Sequence, residues 1–421
     1  MSLRPDEAID RALMRLRERE ADVYCEEMSG LVLEFSDTNP RLFYRNEQSI
    51  AIRMRISDNV VEVVGHLGST DVDKLLDRSI HTRRYVDTRW SIPRASRSLC
   101  ENIVDVSIVE DPDGIALDLG YTVLNLLNSM RGVLSFMFRN AKIRIAVERR
   151  YRAYGNTYGD RVEEMLTRLR ISIRSPLFKL DIGASTLSTL PLNYFENVLS
   201  FLETMCRAIY VSRSSSESAY RSIVIPPHVL DKILRTFIAS HLLAESIHRI
   251  ELGGYATGSD LSIVIDGGAP GMFYSKSFDD EGIATKRVVL VDRGRVVFHL
   301  STSYTAIPLG LELAGCSSRY RNFPDVEPFP PNIVIPPGDL DINDVPTPLL
   351  YVLDARATDI DRVELVGLLI DGRSHAEISR TEVDAVKLLR CAKPCRTPIS
   401  TGYIVAPYIG VDIECLRGLS G

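Results

Sequence analysis

The sequence predicts an α+β protein, in which an N-terminal helix-and-sheet unit is followed by a β-rich unit of sandwich or barrel-like form. Three observations predict it. Helical periodicity is confined to a few separated segments, and the runs between them are short and apolar or alternating, without a regular strand–helix alternation. A polar run, Ser212-Arg213-Ser214-Ser215-Ser216-Glu217-Ser218, interrupts all periodicity and divides residues 1–218 from 219–421. Beyond it the apolar runs are punctuated by Gly and by pairs such as Pro330-Pro331 and Pro336-Pro337. A length of 421 residues exceeds what one ordinary core serves.

The elements follow in order. Pro5, Asp6 and Glu7 suit a helix start, and Ile9, Leu13 and Leu16 share a face, which predicts a helix over 5–20. Strands are predicted at 31–35, 49–54 and 60–64, and Thr70 or Asp71 would cap a second helix running to about Ser79. An apolar segment spans 122–138, and a strand lies at 143–147. Gly159-Asp160 opens a predicted helix carrying Val162, Leu166 and Leu169. Another helix covers 193–210, with Phe195, Val198, Leu199, Leu202 and Cys206 at helical spacing. After the polar run comes one long predicted helix, 226–250. Strands at 288–291 and 296–298 flank the turn Asp292-Arg293-Gly294, and further strands lie at 333–335, 349–353 and 363–370. No internal repeat of fixed period is present.

Composition narrows the function classes. Hydrophobic residues at 45% and charged residues at 25% are ordinary for a globular chain. A net charge of −6 gives no electrostatic reason to expect a nucleic-acid partner, and Arg149-Arg150-Tyr151-Arg152 reads as a solvated strand end. Seven scattered cysteines do not form a disulfide framework. No apolar run approaches the roughly 18 residues of a membrane helix, and no secretory h-region opens the chain, so no membrane partner and a cytoplasmic, reducing location are expected.

The segment from Ser277 to Arg319 is the most distinctive. Asp279, Asp280 and Glu281 stand in succession, closed by Gly282. Carboxylates this close repel unless donors, a cation or water satisfy them, so they belong to a turn or a site. A hard cation is one occupant such acids could take. The preferred reading has them accepting backbone N–H groups at a tight turn on Gly282. The predicted hairpin follows, then Ser303-Tyr304-Thr305-Ala306 through Gly310, then Ala314-Gly315-Cys316-Ser317-Ser318-Arg319.

This succession resembles the TldD/PmbA family, the "modulator of DNA gyrase" metallopeptidase group. Outlying stretches are similar to further family elements: Ala21-Asp22-Val23-Tyr24, Pro331-Asn332 through Pro337-Gly338-Asp339, and Ala406-Pro407-Tyr408-Ile409. The resemblance implies a role in proteolysis by an oligomer. In it a TldD-like subunit holds zinc and cleaves peptides, and a PmbA/TldE-like subunit lacks the zinc motif. Catalytic members carry H-E-x-x-x-H on a helix in this region, with a downstream Cys as third ligand.

Here His241, Glu245 and His248 share one face of the predicted 226–250 helix, and Cys391-Ala392-Lys393 resembles the C-G-K triplet that supplies the sulfur, with Cys395 four residues on. Imidazole, carboxylate and thiolate are good zinc ligands, and Arg390, Lys393 and Arg396 would favour the thiolate. Seven residues span about 10.5 Å of helix axis, so two of the helical groups plus an outside ligand is the realistic metal set. No H-E-x-x-x-H or H-E-x-x-H is present, nor any G-x-G-x-x-G, P-loop or G-x-S-x-G. The expectation is therefore a non-catalytic PmbA/TldE-like subunit with no catalytic residue and no cofactor of its own. It would work beside a TldD-like catalytic subunit or a second copy of itself and hold peptide by strand addition. The alternatives are an active zinc peptidase built from His241, Glu245 or His248 with Cys391, and a homodimeric peptide-binding protein.

Overall fold

Alternation of apolar and polar residues between Ala21 and Ala184 builds a seven-stranded antiparallel sheet, ordered β4-β3-β2-β1-β5-β6-β7. Its strands are β1 (Ala21–Ser36), β2 (Asn39–Ile56), β3 (Asn59–His66), β4 (Thr82–Tyr85), β5 (Lys142–Asn156), β6 (Arg161–Arg174) and β7 (Lys179–Ala184). The computed structural model describes residues 4–36, 39–57, 59–66, 72–77, 82–129, 141–211, 220–319, 326–371 and 376–419. The polar run at 212–218, the cap positions Thr70 and Asp71, and residues 130–138 of the 122–138 segment lie outside them.

One face of this sheet is apolar. Ile143, Ile145 and Val147 of β5 alternate onto it beside Leu169, Ile171 and Ile173 of β6, under the helices Pro112–Ser129 and Leu192–Val211. Toward β2 the same face receives the first helix, Pro5–Leu16, whose Ala8, Ile9, Ala12 and Leu16 pack on Val23, Cys25, Ile50 and Ile52. The predicted helix beginning at Gly159 is instead the β5–β6 hairpin: Gly159 turns the chain at φ +90° and Arg161–Arg174 is a strand. Leu169, Ile171 and Ile173 have the period of two that decides this, and the Val162-Leu166-Leu169 spacing coincides with helical periodicity by chance.

The opposite face is polar. On it lie Asp22 and Tyr24 of β1, Arg53 of β2, and Arg152 and Tyr154 of β5, cross-strand neighbours by register. Arg150 and Arg152 are therefore not solvated strand ends. They sit mid-strand, and Arg152 is buried while Arg149, three residues away on the other face, is exposed.

Residues from 222 onward form two six-stranded sheets. Arg287–Asp292, Ile263–Asp266 and Asn332–Val334 lie side by side in one, and Arg362–Ile370, Leu349–Ala357, Ser222–Ile225 and Ile409–Asp412 in the other. The helix Pro227–His241 is packed between them, its Val229, Leu230, Ile233, Leu234 and Phe237 sharing a core with Ile263, Ile265, Leu350, Val352 and Ile404. The arrangement is α+β with open sheets, and the barrel alternative is not adopted. The hairpin at Asp292-Arg293-Gly294 forms as its sequence requires, with Arg293 and Gly294 both at positive φ and Val291 paired to Val296. The two units share apolar packing: Phe195 and Leu199 of the helix Leu192–Val211 fall in one core with Val224, Tyr351 and Leu353. No described helix is long and apolar enough to cross a membrane.

Candidate functional site

The four residues proposed as metal ligands do not meet. The predicted 226–250 helix stops at His241, because the chain turns aside to bridge Leu243 with Leu300 and then makes a single 3-10 turn, Ala244–Ser246. Helical spacing therefore does not hold for Glu245 and His248. His241 is buried, with Nδ1 3.2 Å from the Phe237 carbonyl oxygen and Nε2 2.8 Å from Asp361 Oδ1. Glu245 accepts a 2.6 Å bond from the Thr305 hydroxyl, and His248 is exposed in the turn that follows. Cys391 forms a disulfide with Cys415, with Cα atoms 5.9 Å apart, which removes the thiolate a metal would require. This corrects the reading of Cys391 as a free thiol. Cys395 is a buried free cysteine whose thiol is pushed up to about 11 by burial, with Asp341 adding to it, so the neighbouring cations do not make it a thiolate. Among the described residues no group of three or more His, Cys, Asp or Glu side chains is placed to hold a metal ion. The donor set does not fit zinc.

Asp279, Asp280, Glu281 and Gly282 lie at the heart of the molecule, against the polar face of the first sheet. Gly282 takes φ +77°, and a Cβ there would stand 2.4 Å from the Tyr154 ring, so both the turn and the close approach require glycine. Asp279 Oδ1 accepts from the N–H groups of Glu281 and Ile283 at 2.9 and 3.0 Å, and Oδ2 accepts from the Ser317 N–H at 2.9 Å. Asp280 is paired with Arg152 and Lys276 and accepts from the Arg319 N–H at 2.7 Å. Glu281 is paired with Arg53 and accepts from the Ser303 N–H at 2.9 Å and the Ser317 hydroxyl at 2.6 Å. Arg53 also pairs with Asp22, which the Tyr154 hydroxyl bonds at 3.0 Å. Trp90 closes the knot through a 3.2 Å bond to the Ser303 hydroxyl.

Protein donors thus meet the acids, and a hard cation is not what reconciles them. The three carboxyls are driven apart in acidity. Burial would raise Asp280, but Lys276 and Arg152 beside it hold it well below the usual carboxylate range. Glu281 is likewise lowered, burial being outweighed by Arg53 and the Ser303 and Ser317 hydroxyls. Asp279, which makes no ion pair among the described residues, is pushed up to about 6 by burial and by Glu281, with Lys276 opposing them.

Beside Asp280 the same polar face opens into a cleft of about 470 Å³. Nine Arg and Lys side chains line it against three acids. The arginines come from alternation: Arg150 and Arg152 on β5, and Arg168 and Arg170 on β6, point to the face opposite the isoleucines. The sequence contained this signal, because Arg168-Leu169-Arg170-Ile171 places every second residue on a polar face. Reading the region as a helix concealed it.

With this geometry in view, residues 218–361 match the PmbA/TldA metallopeptidase C-terminal domain. Residues 218–361 therefore carry a domain of the PmbA/TldD type. Among solved structures its fold is similar to TldE from Thermococcus kodakarensis, with a TM-score of 0.76 at 15% identity over 96% of this chain and 98% of that one. A candidate modulator of a DNA gyrase from Thermotoga maritima gives a TM-score of 0.72 at 12% identity, over 97% and 98% of the two chains. Another from Bacteroides thetaiotaomicron gives 0.72 at 14%, over 97% and 96%. An uncharacterized protein of Methanocaldococcus jannaschii is 29% identical over 143 residues, which are 31% of this chain and 34% of that relative, so the match spans about a third of the relative's length. The TldD/PmbA fold therefore extends over nearly the whole chain, including the sheet that carries the arginine cleft.

Proposed function

We propose that this chain is a non-catalytic, TldE-like subunit of a heteromeric zinc metallopeptidase acting on peptides. A TldD-like partner would supply the metal and the general base. One observation carries the reading: the residues that resemble ligands of the family's catalytic branch are engaged elsewhere, His241 with Asp361 and Cys391 with Cys415. The fold shared with TldE from Thermococcus kodakarensis supports it. In such an assembly this chain contributes surface. Its open sheets have edge strands, among them Ala376–Asp384, whose backbone can receive an extended peptide by strand addition.

Purification of the tagged chain from its native cell tests the proposal. The expected result is recovery with a chain bearing H-E-x-x-x-H, and zinc-dependent peptidase activity in the mixture but not in this chain alone. Recovery only with itself, or peptide hydrolysis by the isolated chain, would overturn it.

A further inference from the structure

The arginine cleft is more cationic than a chain of net charge −6 requires, and its charges are not paired off within it. Glu148 serves Arg150 at 2.7 Å and Arg45 at 3.7 Å, and Glu26 serves Arg150 again at 3.1 Å. Arg168 makes no ion pair among the described residues. Its guanidinium stands 5.2 Å over the Phe273 ring, and its Nε is buried without a hydrogen-bond partner. Arg170 reaches Asp181 through Nη2 at 3.1 Å but leaves its own Nε buried and bare. Arg144, half-buried nearby, also makes no ion pair among the described residues. Burial, reinforced by Arg150 and Arg152, pushes Arg168 down to about 10, which is the mark of a cation held among cations. Buried donors of this kind are normally satisfied, and a guanidinium offers a planar fork matched to a carboxylate.

We infer that this cleft binds the carboxylates of an acidic peptide segment, with Arg168 and Arg144 as its free forks. The identity of the ligand as a peptide rests on the function proposed above, and its acidity rests on the cleft. Arg168 and Arg170 are two residues apart on one strand and so repeat at about 6.7 Å, the interval at which an extended peptide presents alternate side chains to one side. Phe273, Tyr274 and Phe329 form an apolar wall beside the cations, suited to the intervening side chains of such a peptide. A nucleic-acid strand fits less well. The chain carries a net charge of −6 although nine of its cations line this cleft, so its remaining surface is acidic and disfavours a long polyanion that would run on beyond the cleft.

Fluorescence anisotropy with the full chain and a labelled hexaglutamate peptide tests this, with hexaglutamine, inorganic phosphate and a single-stranded oligonucleotide as comparators. Hexaglutamate is expected to bind with an affinity that falls as salt rises, and hexaglutamine not to bind. Arg168→Gln and Arg144→Gln should each weaken binding by about tenfold or more. Arg168→Gln should also leave the unliganded thermal midpoint unchanged or raised, since it removes an unpaired cation from a cationic cleft. Equal binding of the two peptides, unaltered binding in both variants, or binding of the oligonucleotide or phosphate without hexaglutamate would each overturn the inference. The isolated chain is the sample, so failure here leaves the partner proposal standing, and failure to recover a catalytic partner leaves this result intact.

Discussion

Arg53 and Glu281, separated by 228 positions in sequence, form an ion pair in which both side chains are fully buried. The pair ties the polar face of the first sheet to the acid-rich turn of the second unit, and Arg53 carries Asp22 on its other side. Replacing Arg53 by Met leaves two carboxylates buried without their cation, and a loss of about 3–5 kcal/mol is expected. Arg161→Met breaks only the exposed pair with Asp10 and should cost less than about 1 kcal/mol. Urea unfolding of both variants against the parent checks the difference.

Acidification pulls on two buried groups in opposite senses between pH 7 and 5: burial holds His228 down to about 3, so its contribution is lost as pH falls below the unfolded histidine range, while that of Asp279 grows. Burial and Glu281 push Asp279 up to about 6, against about 3.9 for an unfolded aspartate, so the folded state binds this proton first and the contribution of Asp279 alone grows as pH falls from 7 toward 5. Asp280 and Glu281 have lowered folded values, so their contribution is complete above the unfolded range and is lost as pH falls below about 4. Asp280→Asn isolates one of these terms. It should cost stability at pH 7, and the cost should shrink by pH 3, in urea midpoints measured across that range.

Gly282→Ala tests the turn. It places a side chain at φ +77° and drives a Cβ into the ring of Tyr154, which is itself buried and hydrogen-bonded to Asp22. The left-handed conformation alone costs roughly 1–2 kcal/mol, and the clash adds to it. A lower thermal midpoint is expected, and the neighbouring Gly310→Ala is the comparison, having a similar φ of +66° with nothing within 4 Å of its Cβ.

The disulfide is checked by labelling. Alkylation of the unfolded, unreduced chain should leave Cys391 and Cys415 unmodified and label Cys25, Cys100, Cys316 and Cys395. The cross-link closes a loop over a sequence separation of 24 residues, so Cys391→Ala should lower stability by about 2–4 kcal/mol.

The legibility of this chain followed the physical range of each signal. The hairpin at Asp292-Arg293-Gly294 and the helix Leu192–Val211 were readable because turn chemistry and helical spacing act locally. The helix to residue 250 was over-read because Leu242, Leu243, Ile247 and Ile250 are apolar at helical spacing, whereas the bridge between Leu243 and Leu300 that ends the helix depends on a residue 57 positions away. The acids at 279–281 were legible as a turn. Their buried cations were not, because Arg53 and Arg152 reach them only through the register of the first sheet. The Cys391–Cys415 pairing was likewise invisible to spacing.

The central claim is that this chain leaves zinc chemistry to a partner, and native mass spectrometry after zinc loading and dialysis tests it most directly. The parent chain and His241→Ala should show the same mass apart from the substitution, with no retained zinc. One zinc per parent chain that is lost in His241→Ala would contradict the account.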